Sequence, residues 1–232
     1  MKKAVILFNL GGPDKLENVE PFLFNLFYDP AILNLPSFLR FPLAKLIANR
    51  RAPTAKKIYQ ELGGSSPILK LTEEQSHALE SKLNKDDNLS DYKCFIVMRC
   101  WHPRAEKVIK DVMNFEPDEI ILMPLYPQFS AATSGSSIKE WGDVCKKNNF
   151  KVKTSTICCY PTNENFVLAH KEKIMEKIKD LKNFKFTKFF KVPISKTNCK
   201  QKSSKGKKDL PRTWRFLPYF KTYRGSISRI RI

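Results

Sequence analysis

A hydroxyl-rich loop over residues 127–137 holds the residues best placed to bind a ligand. It follows a short apolar run, residues 120–123, of the kind that forms a strand buried on both faces of a parallel sheet. Pro124 and Pro127 end this run, because proline cannot donate a hydrogen bond to a neighbouring strand, and an amphipathic segment resumes at Ile138. Open α/β sheets bind ligands at the carboxyl ends of their strands. The pattern is therefore typical of a ligand site, but a hydroxyl-rich surface loop without a ligand fits it equally well.

A second candidate is the segment of residues 21–47, which has more large apolar side chains than one helical face can bury. One helical face would carry Phe22, Leu23, Leu26 and Phe27. Pro30, Pro36 and Pro42 are expected to break helices and to leave much of the remainder in turns at the surface. A large exposed apolar patch marks a contact site, although an excess of apolar residues is more often part of a core.

The composition indicates a globular protein. The chain has 232 residues, of which 42% are hydrophobic and 12% aromatic, and this excludes a wholly disordered protein. No apolar run approaches the ~20 residues needed to span a bilayer, and the amphipathic start is broken by glycines before it could form a signal sequence. The six cysteines show no zinc-binding spacing and are expected to be reduced thiols. The adjacent Cys158 and Cys159 are expected to be buried at a strand end.

Positive charge is concentrated near the carboxyl terminus. Residues 186–232 contain 14 Lys and Arg and one acidic residue, Asp209, and so carry +13 of the formal net charge of +19. They show no lasting helical or strand period, and their lysine cluster is typical of disordered or polyanion-binding segments. We therefore expect an α/β domain over residues 1–185 and a basic, disordered tail over residues 186–232.

Strands and helices alternate along the first 185 residues. The predicted strands are Lys3–Leu10, Tyr92–Met98, Asp118–Leu125 and Lys151–Ile157. The predicted helices are Thr72–Leu83, one ending near Val112, Ser136–Lys146 and Asn163–Leu181. This order predicts an α/β fold with a doubly wound parallel sheet and helices on both faces.

Four segments, in order, carry a resemblance to a known family. They are LFNLGGPD (7–14), NRRAPTAKKIYQELGGSSPI (49–68), MRCWHP (98–103) and LYPQFSAATSGSS (125–137). Together they resemble ferrochelatase, the enzyme that inserts Fe²⁺ into a porphyrin in haem synthesis. The resemblance extends to about Lys185 and implies one half of the family's two-domain, chelatase-like fold.

The resemblance also implies a set of binding residues. Those expected to contact the porphyrin are Leu10, Leu26, Phe27, Ile32, Leu33, Arg51, Tyr59, Ser66 and Ser130, and those on the metal side are Arg99 and Tyr126. A guanidinium group such as that of Arg51 suits the porphyrin propionates, which it can bind bidentately, whereas arginine pairs are otherwise normally solvated. In this family the segment matching residues 21–47 forms apolar lips that also touch the membrane. We therefore expect a cytoplasmic protein with peripheral contact to the inner face of the membrane.

The residue that would act as the base is not found. In the family it is a histidine in a motif resembling SAHSLP or SAHGLP, on a strand expected to begin near Lys185. The three histidines, His77, His102 and His170, lie in other contexts, so no catalytic residue and no metal ligand is identified. Fe²⁺ is expected as a substrate and not as a cofactor. Because Ala131 stands where some members carry a cluster-binding cysteine, no iron–sulfur cluster is expected.

Three interpretations follow for the whole chain. The first is a ferrochelatase whose reading frame was lost near residue 185, which leaves it catalytically impaired. The second is a non-catalytic tetrapyrrole-binding module with its own basic tail. The third is a nucleic-acid or other polyanion-binding protein. The first is favoured because the similarity ends where the catalytic strand should begin, and the third ranks last because no nucleic-acid-binding module is recognised.

Overall fold

The computed structural model describes residues 1–180, which form a four-stranded parallel sheet surrounded by helices. The strands are β1 (Lys2–Asn9), β2 (Asp91–Met98), β3 (Glu119–Pro124) and β4 (Lys153–Thr156). The helices are α1 (Val19–Tyr28), α2 (Ser37–Glu61), α3 (Ile68–Asp86), α4 (Ala105–Phe115), α5 (Ser136–Lys147) and α6 (Glu164–Asp180). The strand order is β2-β1-β3-β4, and every neighbouring pair is parallel. The predicted α/β class and parallel sheet are thus confirmed.

Strand β1 is the centre of the core. Its residues 4–8 are all buried, as expected for a strand that has helices on both faces of the sheet. Ala4, Ile6 and Phe8 pack in one cluster with side chains from β2, β3, α4 and α5, and the ring of Phe8 meets Trp141 edge-on at 6.3 Å. Because β1 lies between β2 and β3, its carboxyl end becomes the middle of the sheet edge at which a ligand site is expected.

Helix α2 is the largest difference from the sequence prediction. Pro36 does precede the helix, but Pro42 lies within it, as does Pro53, so the prediction that Pro42 ends the helix is wrong. Proline has a helix-compatible φ and removes a single backbone donor. The buried face of α2, made of Ala44, Ala48 and Ala52, offsets that loss by packing against other apolar side chains.

The far edge of the sheet has little cover within residues 1–180. β4 pairs with β3 on one side only, and none of its four residues is buried. Over residues 164–178, α6 has no buried residue, and only Phe166 is half-buried. Cys158 and Cys159, just beyond β4, are exposed, so the expectation that they are buried is wrong. The predicted tail, residues 186–232, lies outside the described residues.

Candidate functional site

Two turns meet at the carboxyl end of β1: the first is residues 11–14, and the second is residues 62–67 between α2 and α3. Gly11 has φ +83°, a conformation that favours glycine, and a Cβ on Gly12 would overlap the side chain of Ser66. The Ser66 amide also donates to the Pro13 carbonyl at 2.8 Å. The glycines of the first turn therefore allow the predicted site residue Ser66, from the second turn, to lie directly against it.

Four predicted porphyrin contacts pack around one small apolar cluster. Its buried members are Val19, Phe22, Leu23, Ala48, Ala52 and Cys100, and half-buried side chains surround them. Among these half-buried residues are Leu10, Leu26, Phe27 and Tyr59. They come from the end of β1, from α1 and from α2, so the fold brings together residues 49 positions apart in sequence. We call this group the site cluster.

Arg51 lies at the margin of the site cluster. Its guanidinium carbon is 5.5 Å from the centroid of the Phe27 ring, a cation–π distance, and the residue is exposed. Burial raises the pKa of the Tyr59 hydroxyl, which lies two helical turns further along α2. A positive group and a neutral phenol thus border the apolar surface.

Between α1 and α2 the chain forms an exposed apolar rim. We call residues 29–36 the lip segment; they contain Ile32, which is 36% exposed, and the half-buried Leu33. The rim continues into the first turns of α2, where Phe38 is 73% and Phe41 55% exposed. Both predicted lip contacts therefore lie outside the site cluster, in the segment that directly follows α1.

Arg99, predicted on the metal side, is already fully engaged. Its Nη2 lies 2.9 Å from Asp29 Oδ2, its Nε donates to Ser136 Oγ at 2.7 Å, and its Nη1 lies 3.3 Å from Glu140 Oε1. The second cation, Arg104, also pairs with Glu140. Arg99 is only 13% exposed and holds protein groups together in this network, and its predicted position on the metal side stays a prediction.

Tyr126 and Ser130 occupy the loop after β3. Tyr126 is half-buried, and burial raises the pKa of its hydroxyl. Ser130 is exposed, and its hydroxyl accepts from the Ala132 amide at 3.3 Å at the start of a π-helical turn over Ala131–Gly135. Neither residue belongs to the site cluster. The position of Tyr126 on the metal side and the contact of Ser130 with the porphyrin stay predictions.

The buried partners of Arg99 were not predicted. Asp29 is 3% and Ser136 6% exposed. Asp29 is the one acid between Glu20 and Glu61, in an otherwise apolar and basic stretch, and that is the signal that could have identified it. Ser136 is one of several hydroxyl residues in its loop and offered no such signal.

The histidines are all at the surface. His77 and His170 are exposed on α3 and α6. His102 is also exposed, and its ring lies 5.2 Å from that of Trp101, which packs against the site cluster. Within residues 1–180, no three or more His, Cys, Asp or Glu side chains lie together as metal ligands would. Over the same residues, no helix is both long and apolar enough to cross a membrane.

Comparisons with known proteins agree with these features. The ferrochelatase family model matches residues 2–192. The ferrochelatase of Pelagibacter ubique (strain HTCC1062) is 79% identical over 185 residues, which are 80% of this chain and 54% of that protein. The ferrochelatase of Wolbachia sp. subsp. Drosophila simulans (strain wRi) is 55% identical over 170 residues, 73% of this chain and 54% of its own length. That of Rickettsia bellii (strain OSU 85-389) is 49% identical over 177 residues, 76% of this chain and 49% of its own.

The chain thus spans about half the length of the curated relatives that it matches. The matched part includes the whole site cluster, the lip segment and the Arg99 network. A family match over residues 2–192, together with the turn, cluster and loop that the four motifs form, places the chain in the ferrochelatase family.

Proposed function

We propose that this chain forms the porphyrin-binding half of a ferrochelatase and that it takes protoporphyrin IX or coproporphyrin III. The observation that carries the proposal is the position of Leu10, Leu26, Phe27 and Tyr59 around one apolar cluster, with Arg51 at its margin. A flat apolar ring that bears carboxylates requires this combination of surface and charge.

Each group has a distinct part in the proposed binding. The site cluster and the lip segment remove the apolar macrocycle from water, which is the main favourable term. Arg51 pairs with a propionate, and the exposed position of Arg51 leaves its guanidinium free to turn toward it. Ser66, fixed against Gly12, supplies a hydroxyl at the edge of the ring.

Porphyrin titration tests the proposal. We expect a saturable shift of the porphyrin Soret absorbance with the unaltered chain. Arg51→Ala removes a charge-assisted hydrogen bond of about 1.5–3 kcal/mol and should weaken binding roughly 10- to 150-fold. The control is Lys57→Ala, an exposed basic residue on the same helix, which should bind as the unaltered chain does. Absence of a saturable shift in the unaltered chain would overturn the proposal.

Metal insertion is expected to be near background in this chain. Insertion of Fe²⁺ releases the pyrrole protons, which a base must accept, and no SAHSLP- or SAHGLP-like histidine is present in the sequence. Loss of a general base typically costs ~10²–10⁴-fold in rate. The missing histidine equally favours the second candidate, a tetrapyrrole-binding module without catalysis. Zinc- or iron-porphyrin formation by the purified chain measures the residual activity, and a rate similar to that of a full-length relative would contradict the proposed impairment.

We further propose that the exposed apolar rim contacts a membrane surface from the cytoplasmic side. Phe38, Leu39 and Phe41 are all at least 49% exposed, next to the basic Arg40 and Lys45. Apolar side chains beside cations suit the interface of an anionic bilayer. Flotation with vesicles that contain anionic lipid should recover the chain, and Phe38→Glu should reduce the recovery. Leu89→Glu, at an equally exposed position in the α3–β2 connection, is the control; equal loss in both variants would contradict the contact.

A further inference from the structure

The carboxylate of Asp29 holds the lip segment from within. Its Oδ1 accepts from the Ala31 amide at 2.8 Å. Its backbone carbonyl accepts from the amides of Ile32 at 3.0 Å and Leu33 at 2.9 Å. Asp29 therefore fixes the backbone of both lip residues that are expected to contact a ligand.

The other carboxylate oxygen connects the lip segment to the far side of the site. Asp29 Oδ2 accepts from Ser136 Oγ at 2.5 Å and from Arg99 Nη2 at 2.9 Å. Ser136 is the first residue of α5, and Arg99 directly follows β2. A single buried side chain thus joins the lip segment to the carboxyl end of β2 and to the start of α5.

The network around Asp29 is balanced in charge. Two carboxylates, Asp29 and Glu140, face two guanidinium groups, Arg99 and Arg104. Removing one partner of a buried pair leaves the other charge uncompensated, so each member depends on the others. Within the described residues, Arg99 links the lip segment to α5 by ion pairs, through Asp29 on one side and Glu140 on the other.

We propose that Asp29, together with Ser136 and Arg99, is a positioning residue that fixes the lip segment so that Ile32 and Leu33 face the porphyrin. The inference rests on the proposed function for its ligand and on the contacts above for its geometry. Asp29 itself has no need to touch the porphyrin. Its effect on binding is through the lip segment.

Asp29→Asn is the decisive variant. An asparagine has one acceptor oxygen, whereas Asp29 accepts from Ala31 on one oxygen and from Ser136 and Arg99 on the other. The NH₂ group of the asparagine must therefore face either the Ala31 amide or the Ser136 and Arg99 donors, and the hydrogen bonds on that side are lost. We expect porphyrin affinity to fall about tenfold or more, with faster hydrogen exchange of the Ala31, Ile32 and Leu33 amides in the ligand-free chain. Ser136→Ala, which keeps every charge, should cause a smaller change of the same kind.

Val112→Ala controls for a general loss of stability. Val112 is fully buried in the sheet core and lies outside the site cluster. The variant should lower the urea midpoint, because it leaves a cavity in the core. It should change porphyrin affinity by no more than about twofold and should leave hydrogen exchange of the lip amides unchanged, since the cavity does not touch the lip segment. The inference is overturned if Asp29→Asn leaves lip exchange unaltered, or if Val112→Ala changes affinity and exchange to the same extent.

The two proposals can fail separately. If the unaltered chain binds no porphyrin, the proposed function fails, while the exchange of the lip amides still decides whether Asp29 holds the lip segment. If Asp29→Asn does not fold, Ser136→Ala carries the test. Normal exchange and normal affinity in a folded Ser136→Ala chain would then overturn the inference.

Discussion

Two regions of this protein consist of the same kinds of element in opposite environments. In the first, β1 lies between β2 and β3, and its residues 4–8 are all buried. In the second, β4 has a neighbour on one side, and α6 leaves Val167, Ile174 and Met175 between 47% and 58% exposed. Within residues 1–180, the core around β1 is therefore covered on both sides, whereas the β4–α6 region lacks partners there.

The comparison shows which part of the family's function this half can support. A helix that follows a strand of a parallel sheet normally leads to a further parallel strand, by a right-handed crossover. β4 and α6 form the first two elements of such a unit, and β4 is the open edge next to them. Since the curated relatives are about twice as long as the matched region, polypeptide is available in them to cover this edge. The residues proposed to bind porphyrin thus lie outside the β4–α6 region, and that region is the one in which we expect a partner to pack.

The largest expected effect comes from supplying that partner. Co-expression with the part of the Pelagibacter ubique ferrochelatase that this chain does not match should cover β4 and α6 and bring in the missing base. We expect metal insertion into porphyrin to rise ~10²–10⁴-fold over this chain alone, the range associated with a general base. The measurement is zinc-porphyrin formation by the co-purified pair. Co-purification without any gain in activity would show that the site region itself is impaired.

A smaller effect compares one apolar side chain from each region. Ile120 on β3 is 2% exposed, and Ile174 on α6 is 58% exposed. Ile120→Ala should lower the free energy of unfolding by about 2–5 kcal/mol, because it loses buried area and leaves a cavity. Ile174→Ala should change it by less than about 0.5 kcal/mol. Urea denaturation measures both, and an equal loss for Ile174→Ala would show that α6 is packed in solution.

The sequence predicts the strands and helices of both regions, β4 and α6 included, but it does not predict correctly which residues of the second region are buried. Continuous apolar runs identify β1 and β3 because a strand covered on both faces needs no polar alternation. Cys158 and Cys159, at the end of a predicted strand, were expected to be buried, whereas the structure shows them exposed. A local sequence pattern indicates which surface a strand can bury, but it does not indicate whether a neighbouring strand or helix is there to bury it.

Within the site, the elements that hold the predicted binding residues were not predicted. Helix α2 was missed because Pro42 was expected to break it, whereas Ala48 and Ala52 on its buried face pack within the site cluster. Asp29 and Ser136 are 107 positions apart, and a hydrogen bond over that separation leaves no local signal. The resemblance predicts Leu10 and Tyr59 as porphyrin contacts, which stay predictions, and tertiary packing brings the two residues against one cluster.

Thiol reactivity sharpens the comparison between the regions. Burial raises the pKa of Cys100 in the site cluster to about 11, so at pH 8 only about 10⁻³ of it is thiolate. Cys158 and Cys159 are exposed beyond β4, although burial and the neighbouring Cys159 also raise the pKa of Cys158. Iodoacetamide at pH 8, followed by peptide mass spectrometry, should modify the pair at least about tenfold faster than Cys100. In urea all six cysteines should react alike, and equal rates in the folded chain would mean that the site cluster opens.

The smallest expected effect concerns an exposed carboxylate that joins two turns of the site region. Asp14 Oδ1 accepts from Asn18 Nδ2 at 2.7 Å and from Trp101 Nε1 at 3.1 Å. The hydrogen bond from Asn18 is the main cause that lowers the pKa of Asp14 below its ordinary value of 3.8. A lowered pKa in the folded chain means that the stabilisation is present above pH 3.8 and is lost as the pH falls through the folded value.

Because Asp14 is exposed and solvent screens its charge, Asp14→Asn should cost less than about 1 kcal/mol at pH 7. The gap in urea midpoint between the two chains should be constant from pH 7 to 5 and should narrow as the pH falls below 3.8. A gap that stays constant there would show that the turn depends on the shape of the side chain and not on its charge.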